Sequence, residues 1–191
     1  MNLEYSKTLQ CLVNAFAGES QARNRYTFFS KVAKEEGYEQ ISDIFLVTAE
    51  NEKEHAKLFY KQIPDSKHFQ VNGTYPFSYG DTYSNLIAAA SGEREEWEIL
   101  YKEAAQIAKD EGFPDIAILF SNVASVENVH SKRFKKYADR LENGSLFKDT
   151  ATSAWMCTNC GFIYEGQVAP AKCPVCAHPQ GFFIKFDESS F

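Results

Sequence analysis

The 191-residue chain has no stretch near the roughly 20 apolar residues that a membrane span requires. It has no basic run and no basic helix face, and its net charge is −6, so nucleic acid and anionic membrane surfaces are not expected as partners. The opening MNLEYSKTLQ lacks the charged-then-apolar order of a secretory signal, and the expected location is the cytoplasm. Cysteine is scarce, and four of the five are paired as Cys157-x2-Cys160 and Cys173-x2-Cys176. In a reducing compartment such pairs read as metal ligands rather than disulfides. Cys11 stands alone and reads as a small buried hydrophobe of the first helix. Histidine is scarcer still, with four residues in the chain.

What the chain does contain is an internal repeat. KVAKEEGYEQISDIF (31–45) aligns with QIAKDEGFPDIAILF (106–120) at an offset of 75, whereas AGES (17–20) aligns with SGER (91–94) at 74. One residue has therefore been inserted within the first helix of the second copy. In each copy a glycine, Gly37 or Gly112, ends one helical pattern just before the next begins. Four helices are expected at about 5–36, 38–62, 83–111 and 113–143. The turns within each pair are short, and the segment 64–84, rich in Gly, Pro, Asp and Ser, is long. That pattern predicts a mainly α protein, a ferritin-like four-helix bundle with one long crossover, over 1–146. Residues 152–191 carry paired cysteines, glycines and prolines without helical period. They are expected to form a small metal-bound β/loop domain, because about 40 residues rarely fold without a staple.

The second helix of each copy carries the chemistry. Ile41, Phe45, Thr48, Glu52, His55 and Phe59 follow the 4,3,4,3,4 spacing of a core-facing stripe, and Ile116, Phe120, Val123, Glu127, His130 and Phe134 repeat it. Leu9, Leu12, Phe16 and Glu19 continue towards Tyr26 as a third stripe, and Leu86, Ala89, Glu93, Glu96 and Leu100 are expected to form the fourth. Five glutamates and two histidines would then converge on the interior. Buried carboxylates cost several kcal/mol each unless compensated, and two metal ions supply the missing charge. Carboxylate and imidazole donors suit iron or manganese. A single Glu-x-x-His would read as a solvated helix face, but here it recurs in the same stripe register at the repeat offset. Glu96 aligns with Ala22 and so has no counterpart. It is either an ordinary helical glutamate or an additional ligand. Tyr26 and Tyr101 correspond to one another and are either core aromatics or hydroxyls that hydrogen-bond a ligating carboxylate.

The spacing Cys157-x2-Cys160-x12-Cys173-x2-Cys176 offers four thiolates to one tetrahedral metal, zinc or iron. CTNCGFIYEG and CPVCAHP resemble the two knuckles of rubredoxin, which favours iron, although Ala177 stands where rubredoxin has glycine. His178 is read as a polar residue beside that site or as part of an electron route.

Taken with AFAGESQARNRY, QISDIF, EKEHAK, NLIAAASGE and HSKRF, these motifs make nearly the whole chain similar to the rubrerythrins. The resemblance implies a non-haem di-iron peroxidase that reduces hydrogen peroxide to water, with an oxo- and carboxylate-bridged iron pair and one further iron held by the four cysteines. Carried over by position, Glu52 and Glu127 would bridge the irons and Glu19 would be a terminal ligand to one of them. Glu93 and His130 would be terminal ligands to the other. His55 would bind the first iron when it is ferrous, and Glu96 would replace it when ferric. The resemblance also implies a homodimer and an external electron donor, such as a rubredoxin or its NAD(P)H-linked reductase. The main rival reading is a ferroxidase or iron-handling protein that uses oxygen.

Overall fold

A computed structural model describes residues 2–65 and 68–186. Residues 66–67 of the expected crossover and 187–191 of the expected second domain lie outside them. The helices are α1 (Lys7–Glu35), α2 (Glu39–Tyr60), α3 (Thr82–Glu95), α4 (Tyr101–Asp110) and α5 (Pro114–Glu142). Their ends follow local chemistry. The Ser6 hydroxyl accepts from the Leu9 N–H at the start of α1, Asp81 caps α3 through the Ser84 N–H, and Pro114 opens α5. The two repeat turns close alike: Gly37 and Gly112 have φ of 83° and 84°, and Tyr38 and Phe113 each donate a 2.8 Å bond back to Ala33 and Ala108. This left-handed C-terminal cap is open to glycine at little cost.

The third helix is not continuous, contrary to the sequence expectation. Between α3 and α4, Glu96–Leu100 forms a π-helical turn. Its cause is the inserted residue. Glu19 and Tyr26, seven residues apart, lie on one face of a regular helix, whereas Glu93 and Tyr101 are eight apart. Eight residues of α-helix would turn Tyr101 about 100° off that face, and the wider π turn absorbs the excess. Tyr101 is 4% exposed as a result, while Leu100, expected on the core stripe, is 46% exposed.

Two aromatic clusters fill the bundle on either side of its centre. One gathers Tyr26, Phe29, Phe45 and Phe134, and the other Leu12, Phe59, Tyr101 and Phe120. The pairs Phe45–Phe134 and Phe59–Phe120, related by the repeat, have ring centroids 5.1 and 4.9 Å apart. The irregular crossover is tied to α1: Asn14 donates to the Asn72 carbonyl and accepts from its N–H, and the Tyr75 hydroxyl donates to the Asn14 carbonyl.

Beyond α5, β1 (Lys148–Cys157) begins ahead of the expected residue 152. It lies between β2 (Ile163–Val168) and β3 (Phe183–Phe186) in an antiparallel sheet. Trp155 and Phe183 are buried beneath this sheet, and the Trp155 indole donates to the Gly166 carbonyl. Phe147 packs against both this core and the Tyr26 cluster. Gly181 meets the turn between α1 and α2 so closely that a Cβ there would stand 1.9 Å from the Gly37 carbonyl oxygen. Among the described residues no helix is long and apolar enough to cross a membrane.

Candidate metal centres

Between the two aromatic clusters lie Glu19 and Tyr26 of α1, Glu52 and His55 of α2, Glu93 of α3, and Glu127 and His130 of α5. Their donor atoms form two sets, Glu19–Glu52–His55–Glu127 and Glu52–Glu93–Glu127–His130, each within 4.8 Å. Every member is buried. Glu52 and Glu127 belong to both sets, and each divides its oxygens between them. His55 Nδ1 is 2.9 Å from Glu52 Oε2 and 2.8 Å from Glu127 Oε1, whereas His130 Nδ1 is 3.0 Å from Glu52 Oε1 and 2.7 Å from Glu127 Oε2. Glu19 lies 3.8 Å from His55, and Glu93 lies 3.6 Å from His130. The two imidazoles are 5.9 Å apart.

Among these contacts, His55 Nδ1 with Glu52 Oε2 is a hydrogen bond, and the rest leave their groups unsatisfied. Glu19 Oε2, Glu52 Oε1, Glu93 Oε2, both Glu127 oxygens and His130 Nδ1 are buried without a hydrogen-bond partner. Such atoms are costly in a bundle core, and so many on converging side chains point to an ion between them. Donors about 2.1 Å from one ion at right angles stand about 3 Å apart, which matches the shortest separations.

The electrostatics agree. Burial and the neighbouring Glu52 push Glu19 and Glu93 well above the ordinary carboxylate range. Burial would also raise Glu52, but His130 and His55 hold it down at about 2. Burial would lower both imidazoles, yet contact with Glu127 and Glu52 lifts His55 to about 9 and His130 to about 12. Without metal, protonated histidines stand in for the missing cationic charge.

Each tyrosine reaches across the pseudo-twofold. Tyr26 donates to Glu93 Oε1, and Tyr101 of α4 donates to Glu19 Oε1. Of the two sequence readings, the hydrogen-bonding one describes the structure, and both rings are also core members. Glu96 is in neither of these donor sets, though it lies near enough to feel the charge of Glu93, Glu127 and Glu52. It is half-buried, at the start of the π turn, with Oε1 3.9 Å from where a Gly18 Cβ would be. Arg133, a residue the stripe reading passed over, donates from Nη2 to the Thr48 hydroxyl at 2.6 Å. Its signal was Thr48 itself, a polar side chain on an otherwise apolar part of the α2 stripe.

In the small C-terminal unit, Cys157, Cys160, Cys173 and Cys176 form a third set of donors. The Sγ atoms of Cys157 and Cys176, and those of Cys160 and Cys173, are 3.7 Å apart. A disulfide needs about 2.05 Å, whereas four thiolates about 2.3 Å from one tetrahedral ion stand about 3.8 Å apart. The two knuckles match: the Gly161 and Ala177 N–H groups donate to the Cys157 and Cys173 carbonyls, and Cys157 and Cys173 donate to Phe162 and His178. The His178 N–H holds the Cys176 thiol down at about 5, whereas burial raises Cys157 and, against the Phe162 N–H, burial and the neighbouring thiols lift Cys160 to about 12, so the four ionise together only with a cation between them. His178 Nδ1 is turned to the Cys176 carbonyl at 3.2 Å. Cys11 is half-buried against the Phe59 cluster, and burial pushes its thiol up.

The profile described as "Rubrerythrin" matches residues 10–138, and that described as "Rubrerythrin, rubredoxin-like domain" matches 155–184. Rubrerythrin-1 of Clostridium acetobutylicum is 50% identical over 98% of both chains, and the rubrerythrin of Clostridium perfringens is 49% identical over the same shares. Among solved structures, nigerythrin in its "fully reduced state (all ferrous)" superposes with a TM-score of 0.63 at 30% identity, covering 94% of this chain and 86% of its own.

Proposed function

Because the chain belongs to the rubrerythrin family, with a di-iron site in its bundle and a one-iron site at its four cysteines, we propose that it is a peroxidase reducing hydrogen peroxide to water. The observation that carries this reading is the presence of both centres on one chain. A ferroxidase takes its electrons from the iron it oxidises and needs no second redox centre. When bound, a ferrous pair supplies the two electrons of H2O2 + 2 H+ + 2 e− → 2 H2O, after which it must be re-reduced one electron at a time. A tetrathiolate iron suits that task, and its proposed external donor is a rubredoxin or an NAD(P)H-linked reductase.

The residues divide the work. Glu52 and Glu127, each with one oxygen in either set, would hold both irons. Glu19 would be the terminal carboxylate of one iron, and Glu93 and His130 would complete the other. Tyr26 and Tyr101 fix the terminal carboxylates through their hydroxyls, and ligands held in this way typically lose about 10–100-fold in metal affinity or activity when the support is removed. The Phe45–Phe134 and Phe59–Phe120 pairs keep bulk water from the two ends. With iron bound, His55 would hold the ferrous site and Glu96 would take its place in the ferric one, since the harder ion prefers anionic oxygen. Glu96→Ala is accordingly expected to leave the ferrous site formed but to alter the diferric Mössbauer spectrum. An unchanged diferric spectrum would rule the exchange out.

In this reading 1–146 is the di-iron domain, 152–191 the electron-transfer domain, and the protein works in the cytoplasm as a homodimer. Geometry supports the dimer: Gly181 packs at the far end of α1, and sixteen residues of helix, about 24 Å, separate Glu19 from Glu35. That is a long single step for an electron within one chain. Anaerobic turnover with a defined donor, both metals quantified, tests the function. Stoichiometric peroxide consumption supports it, and none by fully iron-loaded protein refutes it.

A further inference from the structure

Beside the converging carboxylates lies a cavity of about 490 Å³, walled by α1, the π turn, α4 and the crossover. Its rim is exposed at Asn72, Thr74, Leu100 and Glu103. Its inner wall contains Glu96 and the buried Tyr101, whose hydroxyl is bonded to Glu19. The cavity thus runs from the surface to the edge of the di-iron site. The crossover places one ring, Tyr75, in this space. Its hydroxyl donates to the Asn14 carbonyl at 3.0 Å, and a glycine stands at each edge of the ring. A Cβ at Gly73 would lie 2.6 Å from the hydroxyl oxygen, and a Cβ at Gly18 would lie 3.4 Å from Cε1. That same point at Gly18 is 3.9 Å from Glu96 Oε1. Tyr75 Cε1 and Glu96 Oε1 therefore stand no more than about 7 Å apart, and once about 3.5 Å is allowed for their own contact radii, at most about 4 Å is clear. A molecule the size of water, about 1.4 Å in radius, passes such a gap. A tert-butyl group, about 6 Å across, does not.

We propose that this cavity is the entry passage for peroxide and that Tyr75, standing across Gly18 from Glu96, sets its width: hydrogen peroxide enters and bulky organic hydroperoxides do not. The inference rests on the peroxidase reading above and adds how the site selects among peroxides. Two features fit a passage. Glu95, Glu96, Glu103 and Arg25 give its wall a polar lining suited to a small neutral solute. A methyl group at position 18 would touch both the ring and the carboxylate at ordinary van der Waals distance, filling the gap without a clash. Glycine there keeps the gap open. The Asn14 bond holds the ring at a fixed place, so the width is built in rather than adjusted on binding.

The test uses full-length, iron-loaded, fully reduced protein in anaerobic rapid mixing. Nitric oxide, small and neutral, reports entry without peroxide chemistry. Hydrogen peroxide and tert-butyl hydroperoxide are compared as oxidants, the latter drawing the same two electrons in ROOH + 2 H+ + 2 e− → ROH + H2O. In Gly18→Ala, nitric oxide association and oxidation by hydrogen peroxide are both expected to slow about tenfold, the scale of displacing one side chain from its rotamer, with iron stoichiometry and the diferrous Mössbauer spectrum at parental values. In Tyr75→Ala, oxidation by tert-butyl hydroperoxide is expected to rise at least about tenfold relative to hydrogen peroxide. Tyr75→Leu carries the same expectation if the alanine variant does not fold. Tyr79, exposed on the same crossover and not part of the cavity wall, supplies a control. An equal gain from Tyr79→Ala would trace the effect to a loosened crossover and overturn the assignment. Parental nitric oxide rates in Gly18→Ala, or an unchanged oxidant ratio in Tyr75→Ala, would overturn the passage while the peroxidase reading stands. If neither peroxide oxidises the parental protein, the peroxidase reading fails and the selection among peroxides fails with it.

Discussion

At the scale of single residues, the converging carboxylate and imidazole donors were legible because they violate the pattern they sit in. Glu52, His55, Glu127 and His130 occupy core positions of apolar stripes, and chance does not place the same violation twice at one offset. The tyrosines were legible only in part, since a tyrosine on a core stripe needs no partner for its ring. That each hydroxyl reaches the carboxylate of the other repeat copy depends on how the pairs pack. Tyr101→Phe removes one donor to Glu19 with almost no change in volume, and a 10–100-fold loss of iron affinity or turnover is expected, measurable by competitive chelation. Ala177 marks another local departure. Its φ of 62° is a left-handed conformation that costs a non-glycine residue about 1–2 kcal/mol. Ala177→Gly is expected to stabilise the cysteine module by about 1 kcal/mol or slightly less, because glycine also gives the unfolded chain more freedom. Thermal loss of the thiolate-to-iron absorption measures it.

At the scale of elements, helix identities and turns followed from periodicity and glycine placement, but the π turn did not. The change of offset from 74 to 75 showed that a residue had been inserted; what it left open was whether the chain would loop out, rotate or widen. Packing decides, because both Glu93 and Tyr101 must face the core, and a widened turn serves both. The two first helices should therefore respond differently to shortening. Deleting the exposed Glu98 is expected to close the π turn into regular helix, with full iron stoichiometry and stability within about 1 kcal/mol. Deleting the exposed Asn24 from α1, where no wide turn can absorb the loss, turns Tyr26 about 100° from Glu93 and should abolish iron loading. Metal analysis and melting curves of the two variants separate these outcomes.

At the scale of the whole molecule, the two-part organisation was visible in the change of composition after residue 146, whereas the docking of the small module was not. At Gly181 its backbone lies against that of Gly37 with no room for a Cβ, and a contact of that kind leaves no side-chain signature beyond the glycine itself. Global stability should be tied to the metal charge. In metal-free protein His55 is raised to about 9 and His130 to about 12. A histidine raised above its unfolded value of about 6.5 contributes stability that is complete below that pH and is lost as pH rises through its folded value. Glu19 and Glu93, also raised, act in the same direction. The melting temperature of the apoprotein is therefore expected to fall from about pH 6.5 to beyond pH 9, while iron-loaded protein stays nearly level over that range.

The most direct test of the whole account is rapid mixing of the fully reduced, iron-loaded protein with hydrogen peroxide or with oxygen at equal concentrations, following oxidation of the iron pair. The account predicts that peroxide oxidises the pair much faster than oxygen and that the tetrathiolate iron then becomes oxidised as it passes electrons on. Oxidation by oxygen as fast as or faster than by peroxide would contradict it and identify an iron-handling oxidase instead.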